Sequence, residues 1–212
     1  MRCIAITVIV AWTYVSLGGI NTYNELISST IQACDTPELL LTESFTNDVA
    51  GYRAVCTNAH EQCAADLALA ISLMHRVEHD EGCVGNNACF LRHQSLVSNI
   101  VYHTGLAAGV WIRYAAAVEY MIGLNYDNQQ DASFILSTNM LAKIQAQSPD
   151  MGAPNYWMPM SRWMKIPNET LPTVFRLNAA IWLAEHNRGE EVGAFTNSLP
   201  VSAINMFLDD IR

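Results

Sequence analysis

Lysine is nearly missing from this chain, which has only Lys143 and Lys165. Lysine and arginine together number 11 against 20 aspartates and glutamates, so the formal net charge is −9. Clustered basic side chains bind the phosphates of nucleic acids and anionic membrane surfaces, and no such cluster occurs here. The composition therefore argues against nucleic acid and against an anionic membrane surface as partners.

The sequence also lacks the local motifs of several enzyme classes. It contains no phosphate-cradling glycine-rich loop, no G-x-S-x-G elbow and no dinucleotide fingerprint. Charged residues make up only 15% of the chain and apolar residues 51%, so it can bury a substantial core and is not intrinsically disordered. We therefore expect a folded domain without a complete local catalytic motif. A site assembled from distant residues stays open, because such sites are defined by geometry.

Strand signals are scarce outside the first fifteen residues, and the remaining periodicity is helical. The sequence thus predicts an all-α fold, a single-domain bundle of about six to seven helices over residues 21–212, with one long irregular loop at about 148–168. Thr36-Pro37-Glu38 predicts a helix start, and a capping box at Asn58 and Glu61 predicts another. The helices are predicted at 59–80, 88–103, 106–122, 130–147, 171–188 (with Gly189 as terminator) and 199–211.

Residues 1–20 form a segment of their own, with Arg2 preceding an apolar run. This layout predicts a signal peptide, cleaved after about Gly18, and hence a secreted or extracytoplasmic protein. The alternatives are an intracellular protein that keeps the segment in its core, and a membrane anchor if the segment is retained. Cleavage would remove one of six cysteines and leave an odd number. Asn168 begins an Asn-Glu-Thr glycosylation triplet, which fits secretion.

The stretch "HRVEHDEGCVGNNACFLRH", residues 75–93, begins with His-x-x-Glu-His. This string resembles the H-x-x-E-H motif of the inverzincin metallopeptidases. The resemblance implies a metal-dependent hydrolase in which His75 and His79 share one helical face and bind the metal, with Glu78 as general base. The third ligand would be Glu119 or Glu169. Helical projection, however, places Glu78 away from the two histidines and within the apolar stripe of Cys63, Leu67, Ile71 and Met74.

The same stretch contains a second arrangement of metal-binding residue types. His79, Cys83, Cys89 and His93 form two His/Cys pairs that match the four-ligand count of a structural zinc site. The competing interpretation is a disulfide between Cys83 and Cys89, which would close the loop and leave His93 facing the core and His79 in solvent. Because a disulfide has no thiolates to offer, the two exclude each other. An oxidising compartment favours the disulfide, and a reducing one favours free thiols or the metal.

Residues 156–164 combine aromatic residues and methionines within the long loop. Tryptophan and tyrosine dominate binding hot spots, and methionine adapts to irregular surfaces. The alternative is a lid folded over the core. The leading prediction is therefore a helical binding or assembly module that contacts a protein partner or itself, or a self-assembling coat-type protein. No cofactor is expected, with Zn²⁺ as the alternative. The contact residues would be Tyr156, Trp157, Met158, Trp163 and Met164.

Overall fold

A computed structural model describes residues 19–79, 87–104, 109–146 and 171–197, together with Leu199 and Asn205. These residues contain eight α-helices and one 3-10 helix, and no strand occurs among them, so the predicted all-α class is confirmed. No helix in these ranges is long and apolar enough to span a membrane. The α-helices are α1 Tyr23–Asp35, α2 Glu43–Val55, α3 Ala59–His79, α4 Asn87–Tyr102, α5 Val110–Tyr126, α6 Gln130–Ala146, α7 Leu171–Glu185 and α8 Gly189–Thr196.

Helix α3 lies at the centre of the bundle, where it packs against α1, α2, α4, α5 and the 3-10 helix Pro37–Leu41. Of its 21 residues, 13 are buried, and every residue from Leu67 to His75 is among them. A helix buried on all sides has no narrow apolar stripe, because each face meets a neighbouring helix. Alanines at four of the buried positions let those neighbours approach closely. Because α3 is held by its neighbours, the position of its last turn, where the helix reaches solvent at His79, is fixed as well.

The start of α3 follows the prediction only in part. The Asn58 side chain accepts a hydrogen bond from the backbone N–H of His60 at 2.9 Å, which caps the first turn. The predicted capping box is wrong, because the Glu61 carboxylate accepts its hydrogen bond from the Tyr52 hydroxyl of α2. A complete capping box occurs instead at Thr22 and opens α1.

Before α3 the sequence predicts one helix start, whereas the structure has α1, a 3-10 helix and α2. The predicted helix start at Pro37 opens a short 3-10 helix, and Thr42 then caps α2. Helix α5 begins at Val110 and continues through Gly123 to Tyr126, beyond the predicted end at 122. The predicted helices at 88–103 and 130–147 agree with α4 and α6. The predicted helix at 199–211 lies outside the described residues, apart from Leu199 and Asn205.

Asparagine, not glycine, ends two of the helices. Asn128 after α5 and Asn187 after α7 both have φ of 58°, the left-handed conformation that terminates a helix. After α7, the backbone N–H of Arg188 donates to the carbonyl of Leu183 at 2.9 Å, as in a Schellman motif. Gly189 as the predicted terminator is therefore wrong, and it is the first residue of α8.

His60 joins three parts of the bundle through its two ring nitrogens. Its Nδ1 accepts from the backbone N–H of Gly109 at 3.0 Å, and its Nε2 lies 3.1 Å from the Tyr23 hydroxyl. Since Nδ1 accepts, the proton of the neutral ring lies on Nε2, which donates to Tyr23. The ring therefore links α3 to α1 and to the residue before α5.

Gly109 leaves no room for a side chain, because a Cβ there would lie 2.7 Å from Cε1 and 2.9 Å from Nδ1 of His60. We expect Gly109→Ala to displace the ring, break its hydrogen bond and lower the free energy of unfolding by about 1–3 kcal/mol. The matched control is Gly51→Ala, since nothing lies within 4 Å of a Cβ at exposed Gly51 of α2. That change should raise the free energy of unfolding by about 0.5–1 kcal/mol. Equal effects of the two changes on urea unfolding would contradict the tight contact.

Candidate metal centre

Three potential metal ligands meet at the last turn of α3. One ligand atom each from His75, Glu78 and His79 lies within 4.8 Å of the other two, and in the described ranges no other three histidine, cysteine, aspartate or glutamate side chains meet in this way. Nε2 of His79 is 4.0 Å from Oε2 of Glu78, and the two imidazole centroids are 4.3 Å apart. The predicted spacing thus brings the two histidines to one side of the helix, with the carboxylate beside them.

The three side chains differ in their exposure to solvent. His75 is 4% exposed, while the side chains of Glu78 and His79 are 18% and 57% exposed. The cluster therefore runs from the core to the surface along a single turn. An ion held there would have protein on the His75 side and water on the His79 side, as at a metal site with an open coordination position.

Two electrostatic features favour a cation at this position. The group lies at the C-terminal end of α3, where the unsatisfied carbonyls give the helix a partial negative charge. Glu78 adds a carboxylate. The neighbouring cation Arg76 is directed elsewhere, because its Nη2 donates to the Leu41 carbonyl at 3.0 Å. Imidazole nitrogen together with carboxylate oxygen suits zinc and other divalent transition metals.

The predicted four-ligand site and its competing disulfide both depend on Cys83, which lies outside the described residues. Of the other members, Cys89 is partly buried near the start of α4, and His93 is fully buried within the same helix. Both interpretations stay predictions. The solvent-exposed His79 and the core-facing His93 lie at the two extremes of burial.

Two other cysteines are free thiols, Cys56 just after α2 and Cys63 in α3. Burial raises the pKa of the Cys63 thiol, so this residue is a poor nucleophile and belongs to the core. Cys56 lies 3.5 Å from the carboxylate of Glu61, which accepts its hydrogen bond. Neither thiol belongs to the histidine cluster of α3.

Glu119, one of two residues predicted as a third ligand for His75 and His79, lies elsewhere. Its Oε2 is 3.7 Å from Nε2 of His93, and both side chains are 0% exposed. The other, Glu169, falls outside the described residues. The partnership of His93 with Glu119 was missed by sequence reasoning. The available signal was that each is an ionisable residue on an otherwise apolar helix face.

The predicted contact surface at residues 156–164 and the glycosylation candidate Asn168 also lie outside the described residues. Both stay predictions. Replacing Trp157 and Trp163 with alanine should abolish partner binding or self-association and leave the helix content unchanged if the segment is a contact surface. A loss of helix content would show that it belongs to the core.

Comparison of the chain with protein-family models, with curated proteins and with solved structures gave no match. No similar protein therefore indicates its function, and the proposal below depends on the chemistry of the described side chains.

Proposed function

We propose that this protein is a helical binding module whose ligand is a divalent transition-metal ion held by His75, Glu78 and His79. The observation that carries the proposal is that their ligand atoms lie within 4.8 Å of one another at the exposed end of a central, buried helix. Zn–ligand bonds of about 2.0–2.2 Å require ligand atoms a little closer than this. Side-chain rotation of Glu78 and the exposed His79 supplies the difference without moving the helix.

Rigidity supports the same proposal. A metal site is most selective when its ligands are held by packed elements, and α3 is buried without interruption from Leu67 to His75. His75 is the anchored ligand, and His79 is the ligand free to reorient. The site therefore combines one fixed imidazole with one that closes on the ion.

Removal of a single exposed ligand tests the proposal with little risk to the fold. Because changes to groups behind the ligands already cost about 10–100-fold in metal affinity, we expect His79→Ala to weaken zinc binding by about 100-fold or more. The measurement is competition of the full chain with a fluorescent zinc chelator. His103→Ala is the matched control, since His103 is an exposed histidine outside the group and its loss should leave the affinity unchanged. Equal affinities of wild type and His79→Ala would overturn the proposal.

A metal-dependent hydrolase is the second candidate, favoured by the opening of the cluster to solvent at His79. A bound zinc ion polarises carbonyl groups and lowers the pKa of water to about 7. Glu78 lies 4.0 Å from His79, so its carboxylate would be close enough to take a proton from a water bound to an ion that His79 holds.

Glu78→Gln separates binding from hydrolysis. If Glu78 is the general base, Glu78→Gln should still bind zinc but should no longer cleave labelled casein in the presence of zinc. As a ligand, its replacement weakens zinc binding itself. Wild-type protein that binds zinc and does not cleave casein would favour the binding module over a peptidase.

A further inference from the structure

A second group of polar side chains lies inside the bundle, where α4 packs against α5. His93 of α4 and Glu119 of α5 are both 0% exposed. Neither nitrogen of His93 and neither oxygen of Glu119 has a hydrogen-bond partner among the described residues. Buried polar atoms are nearly always hydrogen-bonded, so four such atoms in one place require an explanation.

The pair does not satisfy itself. Nε2 of His93 lies 3.7 Å from Oε2 of Glu119, beyond the 2.7–3.2 Å that an N–H···O bond requires. A carboxylate removed from water without hydrogen bonds is strongly disfavoured unless a cation compensates its charge. Even a protonated His93 at this distance would compensate the charge of Glu119 without giving it a hydrogen bond.

The separation of the two atoms fits a metal ion between them. With bonds of about 2.0–2.1 Å to nitrogen and oxygen, ligand atoms 3.7 Å apart subtend an angle of about 125–135° at the ion. This angle lies in the range of four- and five-coordinate zinc. The ion would accept the Nε2 lone pair and neutralise the carboxylate.

Gln94 supplies a third polar group at the same place. Gly123 follows Glu119 by one helical turn, and a Cβ at Gly123 would lie 1.7 Å from Nε2 of Gln94 and 3.1 Å from Cε1 of His93. The space left by the missing side chain is therefore filled by the amide and the imidazole together. Nε2 of Gln94 is also buried without a partner in the described part of the chain. Rotation of the amide by about 180° puts its carbonyl oxygen in that position.

We propose that His93, Glu119 and Gln94 bind a second divalent transition-metal ion in the interior between α4 and α5. This site is independent of the cluster on α3, because it uses other residues, of which His93 and Glu119 are 0% exposed and Gln94 is half-buried. Imidazole, carboxylate and amide oxygen are ligands that suit zinc, iron(II) and manganese(II). Entry and release of the ion require local opening of the two helices.

Zinc content and release distinguish this proposal from the one for α3. After loading and dialysis, the full-length wild type should retain about two equivalents of zinc, and both Glu119→Gln and the double variant His93→Phe/Glu119→Leu about one. The His75→Ala/His79→Ala variant should also retain about one equivalent of zinc, and that equivalent is held at the buried site between α4 and α5. Its release to excess chelator should be about tenfold or more slower than release from the Glu119 variants, since it waits for local opening.

Glu185→Gln, at an exposed position of α7, is the matched control and should keep both equivalents. The double variant replaces the pair with apolar groups of similar size, so it keeps the fold if Glu119→Gln does not. Unchanged zinc content in the double variant would overturn the interior site. A wild type that binds one equivalent, lost in His75→Ala/His79→Ala, would overturn it while leaving the proposed function intact.

Discussion

Replacing Glu119 with leucine should lower the free energy of unfolding by about 3–5 kcal/mol. The reason is that His93 lies fully buried beside Glu119, with no hydrogen-bond partner among the described residues. Removal of the carboxylate leaves a polar imidazole in the interior without its ionisable neighbour, and removing one partner of a buried pair is the costly change. Urea unfolding of the metal-free protein, with chelator present, measures the change.

The double variant His93→Phe/Glu119→Leu is the decisive companion. Buried ion pairs replaced by well-packed apolar residues are often neutral or stabilising, so this variant should unfold at or above the wild-type urea concentration. Recovery in the double variant would show that the pair costs stability and is kept for another reason, such as ligand binding. A single-variant effect below about 1 kcal/mol would contradict the desolvated pair.

Phe175→Ala should have an effect of similar size, about 3–5 kcal/mol. Phe175 belongs to α7 and is 0% exposed in the main core, although 24 residues outside the described ranges separate α7 from α6. Truncation of a fully buried phenylalanine loses its transfer free energy and leaves a cavity. Urea unfolding measures the loss.

Phe195→Ala is the control for Phe175→Ala, because Phe195 of α8 is only partly buried against the core. Its effect should be clearly smaller, since less apolar surface returns to water. If both changes cost the same, α7 does not dock in the core as the structure places it.

The fold class was predictable because it depends on local pattern. The bounds of helices α4 and α6 agree with the sequence-based prediction to within about one residue at each end. Helix ends were harder to predict. Gly189 was favoured as a terminator by residue type, whereas the left-handed conformation is adopted by Asn187, two residues earlier. The choice between the two depends on where α8 packs, which is tertiary information.

The two groups of candidate metal ligands differ in how far the sequence could predict them. His75, Glu78 and His79 lie within one helical turn, so their proximity follows from the period of the α-helix alone. His93 and Glu119 are 26 residues apart on helices whose relative register no local pattern sets. Their meeting therefore needed the packed bundle, even though each residue stood out in sequence as an ionisable group on an apolar helix.

The most direct test of the proposed metal centre on α3 is the zinc K-edge absorption spectrum of the zinc-loaded full chain. With the background His93→Phe/Glu119→Leu, only the α3 site contributes. The expected spectrum contains two imidazole ligands at about 2.0–2.1 Å and further light-atom ligands. A spectrum without imidazole scattering, or one unchanged by His75→Ala/His79→Ala, would contradict a metal ion held by His75, Glu78 and His79.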